Sequence, residues 1–170
     1  LLGCRTGLGC VVGAQPLDDR RGVVAGVALV DPPAGRLQRC VRGGLGDLGD
    51  RVARAELPAR LAELGREPAV LVNNAGFGLL ATVEDGTDDE MILQFDVNVF
   101  GLLRMTREVL PHMRRAGGGV IINISSFLGR MGLPLLAHYN ASKYAVEGIT
   151  DSLRFEAGPF GIRVHSVLAG

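Results

Sequence analysis

Ser125-Ser126-Phe127-Leu128-Gly129-Arg130-Met131-Gly132-Leu133-Pro134-Leu135-Leu136-Ala137-His138-Tyr139-Asn140-Ala141-Ser142-Lys143 is the stretch on which the reading of this chain turns. In a helix, residues four apart share a face, so Tyr139 and Lys143 are expected side by side. An ammonium beside a phenol favours the phenolate by Coulomb attraction and draws its pKa down from about 10. A phenol placed this way can give or take a proton at a carbonyl or alcohol oxygen. Just upstream, Val120-Ile121-Ile122-Asn123-Ile124 is an almost wholly apolar run. A strand ending there puts the Ser126 hydroxyl at the carboxyl edge of a sheet, where open α/β sheets hold ligands.

Further upstream, Ala69-Val70-Leu71-Val72 reads as a buried strand of a parallel sheet, and Asn73-Asn74-Ala75-Gly76 follows at its carboxyl edge. That string is either an asparagine- and glycine-rich turn or a brace of amides beside residues small enough to admit a cofactor. Phe77 to Gly86 reads as a loop. Thr87-Asp88-Asp89-Glu90 carries a capping box, with Thr87 as N-cap, opening a helix through Met91, Ile92, Phe95, Val99, Leu102, Leu103, Met105 and Val109 to about His112. Asn98 falls on the apolar side of that helix. Its amide is either a satisfied buried group or a functional one.

Ser126, Tyr139-x-x-x-Lys143 and Asn73-Asn74-Ala75-Gly76 together resemble the short-chain dehydrogenase/reductase family, and the spacings 139 − 126 = 13 and 143 − 139 = 4 match it. The resemblance is close from about Ala69 to Val167. It implies a single α/β domain over residues 1–170, a Rossmann-like doubly wound parallel sheet with helices on both faces. It implies a catalytic set of Asn98, Ser126, Tyr139 and Lys143. In that set Tyr139 is the acid or base and Ser126 bonds the substrate oxygen. Lys143 assists Tyr139 and binds nicotinamide ribose hydroxyls, and Asn98 holds a water that links Lys143 to solvent. The resemblance implies NAD or NADP as cofactor, contacted by Gly3, Gly7, Gly9, Asp47, Asn73, Ala75, Gly76, Tyr139 and Lys143. The loops around Gly76-Phe77-Gly78-Leu79-Leu80 and Met131-Gly132-Leu133-Pro134 look like the hydroxysteroid and retinol dehydrogenase branch, which implies an apolar carbonyl or alcohol substrate. A homodimer or homotetramer, paired through the helices at 88–112 and 139–156, is implied in the same way.

The first 46 residues match this family poorly. Gly3, Gly7 and Gly9 fit its G-x-x-x-G-x-G turn, in which glycines let the backbone reach a pyrophosphate. In a chain with 25 glycines such a pattern also arises by chance. Val23 to Val30 reads as one buried strand, and Asp31-Pro32-Pro33-Ala34-Gly35 as a turn. No acidic or basic residue there separates NAD from NADP. Asp47 is either an adenine contact or a surface turn. A one-sided helix is expected over 51–64, and a further strand from Ile162 to Leu168, Gly158-Pro159-Phe160-Gly161 being a break before it. The chain begins without methionine and stops at Ala169-Gly170, so against the family it reads as clipped at both ends, without the last strand and substrate lid.

Composition narrows the classes of function. Lysine plus arginine equals aspartate plus glutamate, 18 each, so no general field draws the chain to nucleic acid or an anionic membrane. No apolar run approaches a membrane span. Cys4, Cys10 and Cys40 have no paired spacing, which suits a reducing cytoplasm, and His112, His138 and His165 share no metal-ligand spacing. Within those bounds, the family resemblance implies an NAD(P)-dependent oxidoreductase. The alternative is a non-catalytic nucleotide-binding relative or an inactive truncated product.

Overall fold

A computed structural model describes residues 68–170 and the backbone of two strands at 21–24 and 27–30. Gly3, Gly7, Gly9, Asp47, the helix expected over 51–64 and the three cysteines lie outside the described residues. The described elements are β1 (Arg21–Val24), β2 (Val27–Val30), β3 (Val70–Asn73), β4 (Gly76–Leu79), α1 (Asp88–Phe95), a π-helical turn (Asp96–Gly101), α2 (Leu102–Arg115), β5 (Gly119–Ser126), a 3-10 turn (Phe127–Gly129), α3 (Ala137–Ala157), a second 3-10 turn (Gly158–Phe160) and β6 (Ile162–Ala169).

Strand order in the larger sheet is β2-β3-β5-β6. β3, β5 and β6 are parallel, with Asn73 opposite Asn123 and Ser126 opposite Ala169. This is the α/β class expected, parallel strands joined through helices. The buried residues alternate along each strand: Leu71 and Asn73, then Ile121, Asn123 and Ser125, then Ile162 and Val164. Against that face pack Met105, Val109 and Met113 of α2 and Leu153 and Ala157 of α3. Both described helices of this layer thus cover one face. The helix expected over 51–64 lies outside the described residues.

Three local expectations need correction. The strand expected from Val23 to Val30 is two strands, and both run antiparallel, β1 to β4 and β2 to β3. Phe77 does not open a loop: Gly76–Leu79 is strand, with Phe77 and Leu79 buried in period-two alternation. The expected unbroken helix from Asp88 is interrupted by the π turn, which carries Asn98. The start of α1 is as expected. Glu90 N–H donates to Thr87 Oγ1 at 3.3 Å and Thr87 N–H donates to Glu90 Oε2 at 3.1 Å, a capping box.

A buried polar ladder fixes the middle of the sheet. Asn73 Nδ2 donates to Asn123 Oδ1 at 2.9 Å and to Thr106 Oγ1 of α2 at 3.2 Å. Asn123 Nδ2 donates to Thr150 Oγ1 of α3 at 2.9 Å, and Thr150 donates to Val146 O at 2.7 Å. A slip of one residue between β3 and β5 would leave these amides unpaired, so the ladder specifies the register that aligns the strand ends. At the opposite end, Gly117 closes α2 with φ 76, a left-handed turn that favours glycine.

Candidate active site

Asn98 shows how the π turn is used. Its side chain is 2 % exposed. Oδ1 accepts the Phe77 N–H at 3.0 Å, and Nδ2 donates to Phe77 O at 2.9 Å and to Ser142 Oγ at 3.0 Å. The amide pairs with the backbone of β4 as a neighbouring strand would, and it ties β4 to α3 through Ser142. Gln94 Nε2 also donates to Phe77 O, at 2.9 Å. π turns inside α-helices often mark functional positions.

Tyr139 and Lys143 lie in the first two turns of α3. Lys143 Nζ stands 5.6 Å from the centre of the Tyr139 ring, as the four-residue spacing predicts. Lys143 is 6 % exposed, and its ammonium donates to Ile124 O at 2.9 Å, two residues before Ser126. Among the described residues that is its one hydrogen bond, so two N–H groups remain. Burial pulls its pKa down from 10.5 to about 8, and the Glu147 carboxylate opposes part of that fall.

The glycines of β4 leave the room these groups occupy. A Cβ at Gly76 would stand 3.2 Å from Asn98 Oδ1 and 3.6 Å from Lys143 Nζ, so Gly76, Asn98 and Lys143 converge. A Cβ at Gly78 would lie 3.4 Å from Tyr139 Cδ2. β4 therefore runs directly over the phenol and the ammonium.

Ser126 ends β5 and caps the following 3-10 turn, its Oγ accepting the Leu128 N–H at 3.2 Å. That leaves its O–H free to donate. Asn73 turns its side chain into the sheet interior, bracing strands, and Ala75 packs against the core cluster. Two loops flank the constellation, 80–86 and 130–136, and Ala81 N–H joins them by donating to Leu135 O at 2.9 Å. Leu135 has φ 63, strained for a branched residue. Leu80, Val83, Met131, Leu133 and Leu135 on these loops are all exposed.

The sequence reading passed over Glu147 and Arg130. Glu147 Oε2 accepts from Arg130 Nη2 at 2.8 Å and Nε at 3.2 Å, and from Ser166 Oγ at 3.3 Å. The available signal was the spacing: Tyr139, Lys143 and Glu147 are successive four-residue steps along one helix face.

The short chain dehydrogenase family model matches residues 35–170. The chain is 46% identical over 110 residues to the 3-ketodihydrosphingosine reductase of Bacteroides thetaiotaomicron, covering 65% of this chain and 40% of that protein. It is 46% identical over 101 residues to the 3-alpha-(or 20-beta)-hydroxysteroid dehydrogenase of Mycobacterium tuberculosis, covering 59% and 39%. Among solved structures, a short-chain dehydrogenase from Streptomyces avermitilis superposes with a TM-score of 0.69 at 40% identity, over 72% of this chain and 45% of that one. A 4-hydroxyisoleucine dehydrogenase complexed with NADH and succinate gives 0.71 at 32% identity, over 75% and 61%. The chain thus spans about two-fifths of the length of the curated relatives it matches. With this fold, these strand-end residues and a family match over most of its length, the chain belongs to the short-chain dehydrogenase family of oxidoreductases.

Proposed function

We propose that this chain carries the proton-transfer centre of an NAD(P)-dependent oxidoreductase that interconverts a carbonyl and a secondary alcohol on an apolar substrate. The observation that carries the reading is the Lys143 ammonium, buried beside the Tyr139 ring and anchored to the carbonyl two residues before Ser126. The donor set suits a nicotinamide dinucleotide: two unspent Lys143 N–H groups beside the space at Gly76 match a pair of ribose hydroxyls. When bound, that cofactor supplies or accepts the hydride.

The chain's own residues handle the oxygen. Ser126 donates its O–H to the substrate oxygen, where negative charge develops during reduction. Tyr139 gives its proton to that oxygen in reduction and takes it back in oxidation. Lys143 stabilises the phenolate left behind. Asn98 holds β4 against this group, and a water on the π turn relays protons to Lys143. The exposed leucine, valine and methionine side chains of the two flanking loops favour an apolar substrate. Two relatives are named for ketone or hydroxyl chemistry on sphingoid and steroid molecules, which points the same way.

Exposed Ile92, Phe100, Leu103, Tyr144 and Phe155 on the helical surface suit pairing with a second copy, a homodimer or homotetramer readable by light scattering. The functional test is thermal stabilisation by NADH and NADPH, followed by coenzyme oxidation with apolar ketones and with small polar carbonyls. Stabilisation by one coenzyme and turnover of the apolar ketones is expected. Stabilisation without turnover of any carbonyl would instead make the chain a non-catalytic nucleotide binder.

A further inference from the structure

Beyond the four residues of the proposed mechanism, one buried carboxylate on helix α3 bonds the loop at Arg130 and strand β6 to the helix that carries Tyr139 and Lys143. We propose that Glu147 is a positioning residue, one helical turn beyond Lys143 on the same face of α3, which acts on that ammonium and ties the Arg130 loop and strand β6 to the helix. The inference rests on the functional reading above for its catalytic meaning, but not for its electrostatic one.

A carboxylate that is 7 % exposed must find partners or lose its charge. The partners of Glu147 come from distant parts of the chain. Arg130 lies on the loop after the 3-10 turn and Ser166 lies on β6, and both donate to Oε2. Oε1 is buried and makes no hydrogen bond, and the same holds for Ser125 Oγ, next to Ser126. Ser125 stands beside the carboxylate without a well-formed bond. Gly129 is packed between them: a Cβ there would lie 3.0 Å from Ser125 Oγ, 3.1 Å from Glu147 Cγ and 3.0 Å from Lys143 O. Glu147 thus sits where β5, the substrate loop, α3 and β6 meet.

Its charge is maintained. Burial alone pushes the Glu147 carboxyl up, but the neighbouring Ser125 hydroxyl dipole, the Arg130 donors and charge and the Ser166 hydroxyl outweigh burial and hold it below the usual carboxylate value. It is therefore an anion one helical turn beyond an ammonium that burial works to neutralise. Other charged groups on the packed elements act less directly. Arg130 is bonded to Glu147 itself, Asp96 of the π turn is paired with Arg104, and Arg163 and His165 of β6 are exposed at positions alternating with the buried face. Tyr139 shares the helix face, and His138 precedes it.

The test titrates Lys143 directly, by NMR of its labelled side chain in the cofactor-free chain, so that it needs no turnover. Glu147→Gln keeps the shape and removes the charge, and the Lys143 midpoint is expected to fall by about 0.5–1 pH unit. Arg130→Met removes the competing cation, and the midpoint is expected to rise. A merely structural ion pair would lower stability in both variants and leave both midpoints where they are, which would overturn the proposal. If Glu147→Gln does not fold, the sign of the Arg130→Met shift decides. The alkaline limb of the turnover profile is expected to move in the same directions. Midpoints that move while the parent chain shows no turnover would sink the functional reading and leave the Glu147–Lys143 coupling standing.

Discussion

The Asn98 side chain pairs with both the N–H and the C=O of Phe77, at 3.0 and 2.9 Å, so a residue in a helical turn extends the hydrogen bonding of strand β4. Asn98→Ala leaves the Phe77 N–H buried and unpaired, while the Phe77 C=O keeps its bond from Gln94 Nε2. The expected cost is roughly 1–3 kcal/mol of unfolding free energy, read from a urea titration. Asn98→Asp, which turns an acceptor toward Phe77 O, should cost more than the alanine change. Alanine within about 0.5 kcal/mol of the parent would show that the pairing adds little.

Gly76 and Gly148 make opposed predictions from one chemical change. A methyl at Gly76 meets Asn98 Oδ1 at 3.2 Å and Lys143 Nζ at 3.6 Å, whereas a methyl at Gly148 meets nothing within 4 Å. Gly148 is exposed in the interior of α3. Gly148→Ala should therefore stabilise the chain by about 0.5–1 kcal/mol. Gly76→Ala should destabilise it by about 1–2 kcal/mol and abolish the thermal shift given by coenzyme. Equal melting temperatures for the two variants would contradict the close approach of β4 to Lys143.

Lys143 links stability to pH in a direction set by its burial. Its folded pKa, about 8, lies below the ordinary 10.5. Between those values the unfolded chain binds more protons, so stability rises with pH. Below about 8 the fold carries the full cost of a buried ammonium, and a fall of that size corresponds to roughly 3 kcal/mol. Lys143→Met removes the titration. The parent should gain roughly 3 kcal/mol relative to this variant between about pH 7.5 and about pH 10.5. A difference that stays flat over that range would mean that Lys143 is not buried as described.

Much of the site was legible because its signals are local. The Thr87–Glu90 capping box, the four-residue step from Tyr139 to Lys143 and the apolar run ending at Ser126 are each set by neighbours in sequence. The π turn at Asn98 was not legible, because its cause is the backbone of Phe77, remote in sequence. Gly76-Phe77-Gly78-Leu79 passed for a loop because glycine is depleted in strands, although Phe77 and Leu79 carried the alternation. The antiparallel pairing of β1 and β2 depends on partners in β3 and β4 that an apolar run does not name. Glu147 looked like an ordinary helical acid, and only Arg130, Ser125 and Ser166 arriving from other elements make it a centre.

The central claim is that Tyr139 exchanges a proton with the substrate oxygen while Lys143 stands beside it. The most direct measurement compares coenzyme-dependent reduction of an apolar ketone by the parent chain and by Tyr139→Phe, with coenzyme affinity followed in parallel. A fall in turnover of about 10²–10⁴-fold at nearly unchanged coenzyme affinity is expected. Turnover by the phenylalanine variant at the parent's rate would contradict the account.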